Sequence, residues 1–266
     1  ALNEVLLVWY RLLITVLTLF IVQLYRKDFR ILSLKDTGKI MAGCIVALHW
    51  VAFYGSIKYA NISVALTCFS SVGFFTAFLE PLLLKKKIVW IEAALGFLAI
   101  IGIYIIFDFH PHYKTGIIFG IIAAGAFMFF AIYNKLLTRD FSPKTIIIYE
   151  MSGGLLTLTF LIPLYLVKFN AAYYWPTASD WGWLVVLSWL CTIICFDLQL
   201  KALKKISAFT ANLTYNLEPI YGIVLAIIIF KENKILTIHF YTGLGFIVIA
   251  IILQMARLSK RKVATN

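Results

Sequence analysis

The chain has 266 residues, of which 62% are hydrophobic and only 14% are charged, and its formal net charge is +12. A mean hydropathy of +0.94 excludes an ordinary soluble domain, because a buried core must be wrapped in more polar surface than this chain can supply. The positive charge does not indicate a nucleic-acid partner, since Lys and Arg stand in short groups between apolar runs.

Apolar segments follow one another along the whole chain, and each is close to the length of about 20 residues that a helix needs to cross a membrane. Because the runs are continuous rather than alternating, they do not fit a transmembrane barrel. The sequence therefore predicts an all-α polytopic membrane protein with nine spans. They are Val5–Leu24, Ile40–Ile57, Ile62–Leu83, Ile88–Phe107, Gly116–Asn134, Thr145–Val167, Trp181–Leu200, Ser207–Phe230 and Leu236–Met255.

The basic residues predict the orientation of these spans. Of the 24 Lys and Arg residues, 18 fall on one set of alternate connections and five on the other, while Arg11 lies inside a span. Basic connections stay on the cytoplasmic side, so we expect a multi-pass protein of a bacterial-type inner membrane with a cytoplasmic C-terminus. Nine spans then place Ala1 outside, which leads us to expect one further span before it.

Two stretches of the chain are alike in sequence. Residues 58–65 and 204–211 each combine Lys, Ile-Ser and Ala, and each is followed by a Glu-Pro pair and then by a Gly-containing span. The pairs are Glu80-Pro81 and Glu218-Pro219, and their spacing from the repeated motif differs. Because the predicted topology runs the two copies in opposite directions, the pattern indicates an inverted repeat, which is common in transporters.

The second copy reads Ile206-Ser-Ala-Phe-Thr-Ala-Asn-Leu-Thr-Tyr-Asn-Leu-Glu-Pro-Ile-Tyr-Gly222, and Glu232 follows in a short external turn. With Ala60-Asn-Ile-Ser-Val-Ala65, Gly73 and the span containing Gly96 in the first half, it resembles the EamA-type members of the drug/metabolite transporter superfamily. Arg11 near the outer end of its span also fits that family. The resemblance covers essentially the whole chain.

The resemblance implies a fold of ten helices in two five-helix inverted repeats, and nine predicted spans would be that fold with its first helix absent. Residues 1–110 would then form the first repeat, 114–257 the second, and 258–266 a basic cytoplasmic tail. It also implies a permease that moves a small metabolite or drug-like molecule by alternating access. The expected partners are that substrate, the lipid bilayer and H⁺, and a homodimer is left open.

Three ionisable residues lie deep in their predicted spans. At the helical rise, Glu218 is about 16 Å from either end, His49 is about 14 Å deep and Arg11 is about 9 Å deep. Ionisable groups are costly in hydrocarbon and are functional candidates by default. Trp50 and Tyr54 follow His49 on the same span. The alternative for His49 is a core histidine bonded to a carbonyl, and for Glu218 a structural partner of a neighbouring helix.

A proline next to Glu218 adds a second argument for a site there. Pro219 has no N–H, so the carbonyl of Tyr215 would lose its donor and the helix is predicted to kink. A freed carbonyl in the membrane must face protein or water. Asn212 and Asn216 lie on the same stretch of the span.

Other polar residues in the spans have simpler explanations beside the functional one. Ser70 and Ser71 line a small polar helix face that tight helix packing would also explain. Glu150 precedes Ser152-Gly153-Gly154, which indicates a close-packed surface that could also face a cavity. Three acidic residues near the cytoplasmic ends are expected to pair with nearby lysines; they are Glu80, Glu92 and Asp197.

We therefore expect a substrate site in a central cavity, with Glu218 binding either H⁺ or a positively charged group of the substrate. The alternatives are a passive channel, a membrane-embedded enzyme that uses Glu218 with His49, and a scaffold. The sequence contains no HExxH, Walker A or GxSxG motif, and neither a cofactor nor a metal site is expected. The predicted site residues are Glu218, Tyr215, Asn216, Asn212, Ser70, Ser71, His49, Trp50, Tyr54, Arg11 and Glu150, with Pro219 as the helix kink.

Overall fold

The structure is a computed structural model that describes residues 3–27, 32–41, 44–85, 87–109, 111–168, 174–205 and 218–264. Throughout these ranges the regular structure is helical, and no strand occurs in them. The helices are α1 (Glu4–Tyr25), α2 (Leu34–Met41), α3 (Cys44–Tyr59), α4 (Ile62–Phe69), α5 (Val72–Leu83), α6 (Trp90–Phe109), α7 (Lys114–Asp140), α8 (Pro143–Lys168), α9 (Ala178–Ser188), α10 (Cys195–Lys205), α11 (Glu218–Phe230) and α12 (Ile238–Ala264).

Every predicted span overlaps a helix of the structure. In the described part of the chain, six helical runs are long and apolar enough to cross a membrane, and two shorter apolar helices, Trp90–Ile106 and Glu218–Phe230, accompany them. Most of the first half of the eighth predicted span, residues 207–217, lies outside the described residues. The prediction of an all-α polytopic membrane protein is confirmed.

The chain folds into two compact units, which are described separately. Unit 1 comprises Ala1–Val51 and Phe129–Ser207, and unit 2 comprises Ala52–Met128 and Ala208–Asn266. In unit 1, α1 packs against α8 and α9. In unit 2, α6 packs against α12 and α5, and α4 packs against α11. Each unit therefore takes residues from both halves of the sequence.

One spanning run in each unit is irregular. In unit 2, α4 and α5 are separated by Ser70 and Ser71, whose hydroxyls donate to the carbonyls of Thr67 at 2.6 Å and Cys68 at 2.7 Å. Serine hydroxyls that bond the preceding turn compete with the regular helical bonds. In unit 1, α9 and α10 are joined by a π-helical segment, Trp189–Ile194. Such segments are rare and frequently occur at functional sites.

Glycine lets α6 and α12 pack closely in the described part of unit 2. A Cβ atom added to Gly243 would overlap the carbonyl oxygen of Gly102 and lie 2.7 Å from Cγ1 of Ile106. The same overlap occurs in the other direction, between a Cβ on Gly102 and the carbonyl oxygen of Gly243. Small residues let spanning helices approach to backbone contact, and that contact supplies much of their association energy.

We expect Gly243→Ala to destabilise the protein by about 1–3 kcal/mol, because the added methyl group meets backbone that cannot rotate away. Gly245→Ala on the same helix is the matched control, since nothing lies within 4 Å of its added Cβ. Thermal unfolding in detergent measures the difference. Equal melting temperatures for the two variants would show that α6 and α12 are not packed this closely.

Candidate substrate site

Arg11 is a buried charged side chain of unit 1 with several partners. It is 5% exposed, within α1. Its Nε donates to the hydroxyl of Thr192 at 2.8 Å, and its Nη2 donates to the carbonyl of Cys191 at 3.4 Å. The guanidinium carbon lies 3.7 Å from the centre of the Trp50 ring, so a cation–π contact covers the flat face of the group. The guanidinium is thus held by oxygen acceptors and by an aromatic face.

The π-helical segment supplies both oxygen acceptors. Within it, the Thr192 hydroxyl donates to the carbonyl of Leu187 at 2.8 Å and accepts from Arg11. The backbone of Arg11 is fixed as well, because the Ser188 hydroxyl donates to its carbonyl at 3.0 Å. The side chain of Arg11 is therefore held by the irregular segment and its main chain by the last residue of α9, so the orientation of the guanidinium depends on that irregularity.

The aromatic part of the predicted site is on α3. His49 and Trp50 are buried, and Trp50 packs edge-on against Phe196 with ring centres 5.7 Å apart. The structure thus places Arg11 and Trp50, two of the predicted site residues, in direct contact. Tyr54, further along α3, is half-buried and belongs to unit 2.

Glu150 is fully buried within α8, with 0% of its surface exposed. The Asn134 amide, also fully buried, is the polar group that faces this carboxyl group. The two side chains are not hydrogen-bonded to each other, and neither carboxyl oxygen has a hydrogen-bond partner among the residues that the structure describes. The surrounding packing is close, since a Cβ on Gly154 would lie 3.1 Å from Cβ of Ala47. The close-packed surface that the sequence indicated at this position is present.

The predicted site residues of unit 2 are only partly described. Ser70 and Ser71 are buried, and both hydroxyls bond their own backbone. Glu218 is half-buried and begins α11, and Pro219 follows it buried. Asn212, Tyr215 and Asn216 lie outside the described residues, so the predicted kink stays a prediction.

Helix α11 packs closely against α4 in the described part of unit 2. A Cβ on Gly222 would lie 2.5 Å from Cδ1 of Leu66. Near the break between α4 and α5, Ser70 and Gly73 line a cavity of only about 10 Å³ with Gly96 and Gln254, which is room for about one water molecule. This cavity is too small for an organic substrate.

The acidic residues near the span ends behave mostly as interfacial charges. Asp197 forms the expected ion pair with Lys201, one turn along α10. Glu92 pairs with Arg257 on α12 at 3.3 Å, a partner that the sequence did not indicate. Glu80 is buried near the end of α5.

Glu232 has a structural role that the sequence reasoning missed. It lies in the 3₁₀ turn after α11, and its carboxylate accepts from the backbone N–H groups of Ile62 at 3.0 Å and Ser63 at 2.9 Å. The Ser63 hydroxyl donates to it as well, at 2.5 Å. A carboxylate at the start of α4 satisfies donors that the helix itself leaves free and offsets the positive end of its dipole.

We expect Glu232→Ala to destabilise unit 2 by about 1–3 kcal/mol, because the N–H groups of Ile62 and Ser63 would lose a charged acceptor. Glu232→Gln keeps one acceptor oxygen and should have a smaller effect. Lys234→Ala is the control from the same turn, with an exposed side chain. Melting temperatures in detergent that are equal for Glu232→Ala and Lys234→Ala would contradict this role.

Ionisable side chains buried within spanning helices, together with interrupted spans, are typical of membrane transporters. The model of the EamA-like transporter family matches residues 1–108 and 114–255. The chain therefore belongs to this family and is a multi-pass membrane transporter, which confirms the resemblance found in the sequence.

Similar proteins agree with this assignment. A Clostridium kluyveri protein described as an uncharacterized transporter is 23% identical over 242 residues, which cover 86% of this chain and 76% of the relative. One solved structure, described as the crystal structure of a protein, aligns with a TM-score of 0.64 over 94% of this chain and 87% of its own. At 15% identity that likeness establishes the fold alone.

Proposed function

We propose that the chain is a secondary transporter that moves a small organic metabolite or drug-like molecule across a bacterial-type inner membrane. The observation that carries the proposal is Arg11, a guanidinium buried within a spanning helix and oriented by Thr192, the Cys191 carbonyl and Trp50. A charge in this position is costly, and such groups mark substrate or ion pathways.

Alternating access is the transport mechanism that we propose. The break at Ser70 and Ser71 in unit 2 and the π-helical segment in unit 1 support it. Interrupted helices are where many transporters bind their substrates. A uniform pore would need neither feature.

We propose substrate contacts in both units. In unit 1 they are Arg11, His49, Trp50 and Glu150. In unit 2 they are Tyr54, Ser70, Ser71 and Glu218, while Asn212, Tyr215 and Asn216 are proposed on sequence grounds. Arg11 suits a carboxylate or phosphate group of the substrate, and the Trp50 face suits a flat or cationic group.

Saturable exchange in proteoliposomes tests the proposal. Vesicles that contain the purified protein are loaded with members of a metabolite panel, and uptake of the same labelled compound is measured. A transporter of this kind shows saturable uptake that unlabelled internal substrate accelerates. Flux that rises linearly with concentration and shows no such acceleration would identify a passive channel instead.

The proposed orientation rests on the distribution of basic residues, with the C-terminus in the cytoplasm. A single cysteine in place of Lys205 should be protected from an impermeant thiol reagent added outside intact cells, and one in place of Lys234 should react. The test is run in a background that lacks the four native cysteines, two of which are exposed. Labelling at position 205 without labelling at 234 would reverse the orientation.

A further inference from the structure

Unit 1 contains a cleft of about 620 Å³ that does not include Arg11, Trp50 or Glu150. It lies where the C-terminal end of α1 meets the N-terminal end of α8 and the segment from Ile193 to Lys201. The Gln23 amide holds the two helix ends together by donating to the carbonyl of Lys144 at 3.4 Å. The cleft is therefore separate from the substrate contacts proposed above.

The inner part of the cleft is apolar and open. Ile194 and Leu198 are about half exposed, at 49% and 59%, although both lie in a spanning run. Along α1 the apolar wall extends from Val22 to Leu19, which is about 10 Å below Arg26 at the helical rise. The remaining apolar side chains of the wall are Ile147 and Ile193. A hydrocarbon chain lying in this part of the cleft would cover exposed apolar surface.

The outer end of the cleft is positively charged. Arg26, Lys144 and Lys201 line it, with Asp197 as the acidic residue among its lining side chains. Asp197 is paired with Lys201, so the rim keeps an excess of positive charge. All three basic residues stand at ends of spans, which is the depth at which lipid headgroups lie.

The start of α8 adds to this positive rim. The Ser142 hydroxyl accepts from the backbone N–H of Thr145 at 3.2 Å, and α8 begins at Pro143. The positive end of the helix dipole therefore points into the rim that Pro143 and Lys144 line. A helix start next to basic side chains favours a phosphate group.

We propose that this cleft binds an acidic phospholipid, with its phosphate among Arg26, Lys144 and Lys201 and an acyl chain along Leu19, Ile194 and Leu198. An apolar groove ending in a basic rim at headgroup depth matches an amphipathic anion anchored in the bilayer. A small soluble anion would contact only the basic rim of the cleft, and a neutral lipid would be held only by the apolar groove. The site does not depend on the transported substrate.

Native mass spectrometry with defined lipids tests this proposal. The protein is presented with phosphatidylglycerol or phosphatidylcholine, and the retained lipid is counted. The wild-type protein should retain phosphatidylglycerol in preference. The triple variant Arg26→Gln, Lys144→Gln, Lys201→Gln should lose at least about tenfold in affinity, since each basic group near an anionic lipid contributes roughly fivefold.

A charge-matched control removes the effect of net charge. Arg139→Gln, Lys204→Gln, Lys205→Gln deletes three exposed basic residues that do not line the cleft, and it should retain the lipid as the wild type does. Leu198→Trp, which fills the groove without changing charge, should also lose the lipid. Melting temperatures in lipid-free detergent confirm that each variant is folded.

Three results would overturn the proposal. Equal loss in both triple variants would mean that the lipid follows net charge rather than this cleft. If the wild-type protein retained phosphatidylcholine as well as phosphatidylglycerol, the basic rim would not select an acidic headgroup. Displacement of the lipid by inorganic phosphate, with Leu198→Trp behaving as wild type, would make the rim a site for a small anion.

Discussion

Replacing Arg11 with lysine is expected to lower the rate of substrate exchange by at least about tenfold, the effect of a loss of about 1.4 kcal/mol. The guanidinium donates to Thr192 and to the Cys191 carbonyl while its flat face lies on Trp50. An ammonium group keeps the charge but has neither the planar fork nor a face to stack. A single hydrogen bond to a charged group contributes about 1.5–3 kcal/mol, so the loss of one of these contacts is enough to produce the expected effect.

A second variant separates the orientation of Arg11 from its charge. Thr192→Val leaves the guanidinium in place but removes the acceptor of its Nε. We expect its exchange rate to fall between those of the wild type and Arg11→Lys. Thr157→Val on α8 is the control, because that hydroxyl also bonds its own helix, donating to the carbonyl of Gly153 at 2.8 Å.

Melting temperature distinguishes a substrate contact from a purely structural one. If Arg11 only holds α1 to the π-helical segment, Arg11→Lys will melt at a lower temperature and the remaining folded protein will exchange substrate at the wild-type rate. If Arg11 serves the substrate site, the exchange rate per folded molecule will fall. Full activity per folded molecule in Arg11→Lys would remove Arg11 from the proposed site.

The sequence predicted the features of this protein that depend on local composition. Apolar length alone predicted an all-α polytopic protein whose predicted spans overlap helices, and the spacing of Asp197 and Lys201 on one helix predicted their ion pair. The depth of Arg11 within an apolar run marked it as a candidate before any contact was known. These inferences need only residues that are neighbours along the chain.

The features that the sequence did not predict depend on residues far apart along the chain. The carboxylate of Glu232 caps a helix start about 170 positions earlier in the chain. No local sequence pattern at Glu232 or at the start of α4 indicates that the two are in contact. The π-helical segment is a second example, because its Thr192 bonds to Arg11 on a distant helix. Gly102 and Gly243 are about 140 positions apart in the sequence, and only the packing of α6 against α12 shows that they face one another.

The response of transport to a pH gradient is the other large effect that we expect, and it concerns Glu218. A carboxyl group in a spanning helix is partly removed from water, which disfavours its charged form unless a cation is near. A group that binds H⁺ or a cationic part of the substrate makes the two compete for one site. One-for-one exchange would then let a gradient of one pH unit drive about tenfold accumulation of substrate.

Glu218→Gln should abolish this accumulation, because the amide cannot release a proton. The measurement is uptake into proteoliposomes that are acidic inside by one pH unit, compared with vesicles without a gradient. Glu150→Gln is the matched comparison, a second buried carboxyl group in a span. Glu218 is half-buried, whereas Glu150 is fully buried and faces Asn134. Of these two carboxyl groups, Glu218 has the exposure that proton exchange with water requires. Glu150→Gln alters a proposed substrate contact and can lower the exchange rate, but it should keep the response of accumulation to the gradient.

The two variants give different results under each explanation. If Glu218 only packs against a neighbouring helix, Glu218→Gln will still accumulate substrate under the gradient, and the coupling role is wrong. If Glu150 carries the proton, Glu150→Gln will lose the response and Glu218→Gln will keep it. Exchange of substrate without a gradient, measured on the same vesicles, shows that each variant is folded and inserted. Because that exchange needs no net proton movement, a coupling variant should keep it while losing accumulation, and that combination distinguishes lost coupling from lost binding.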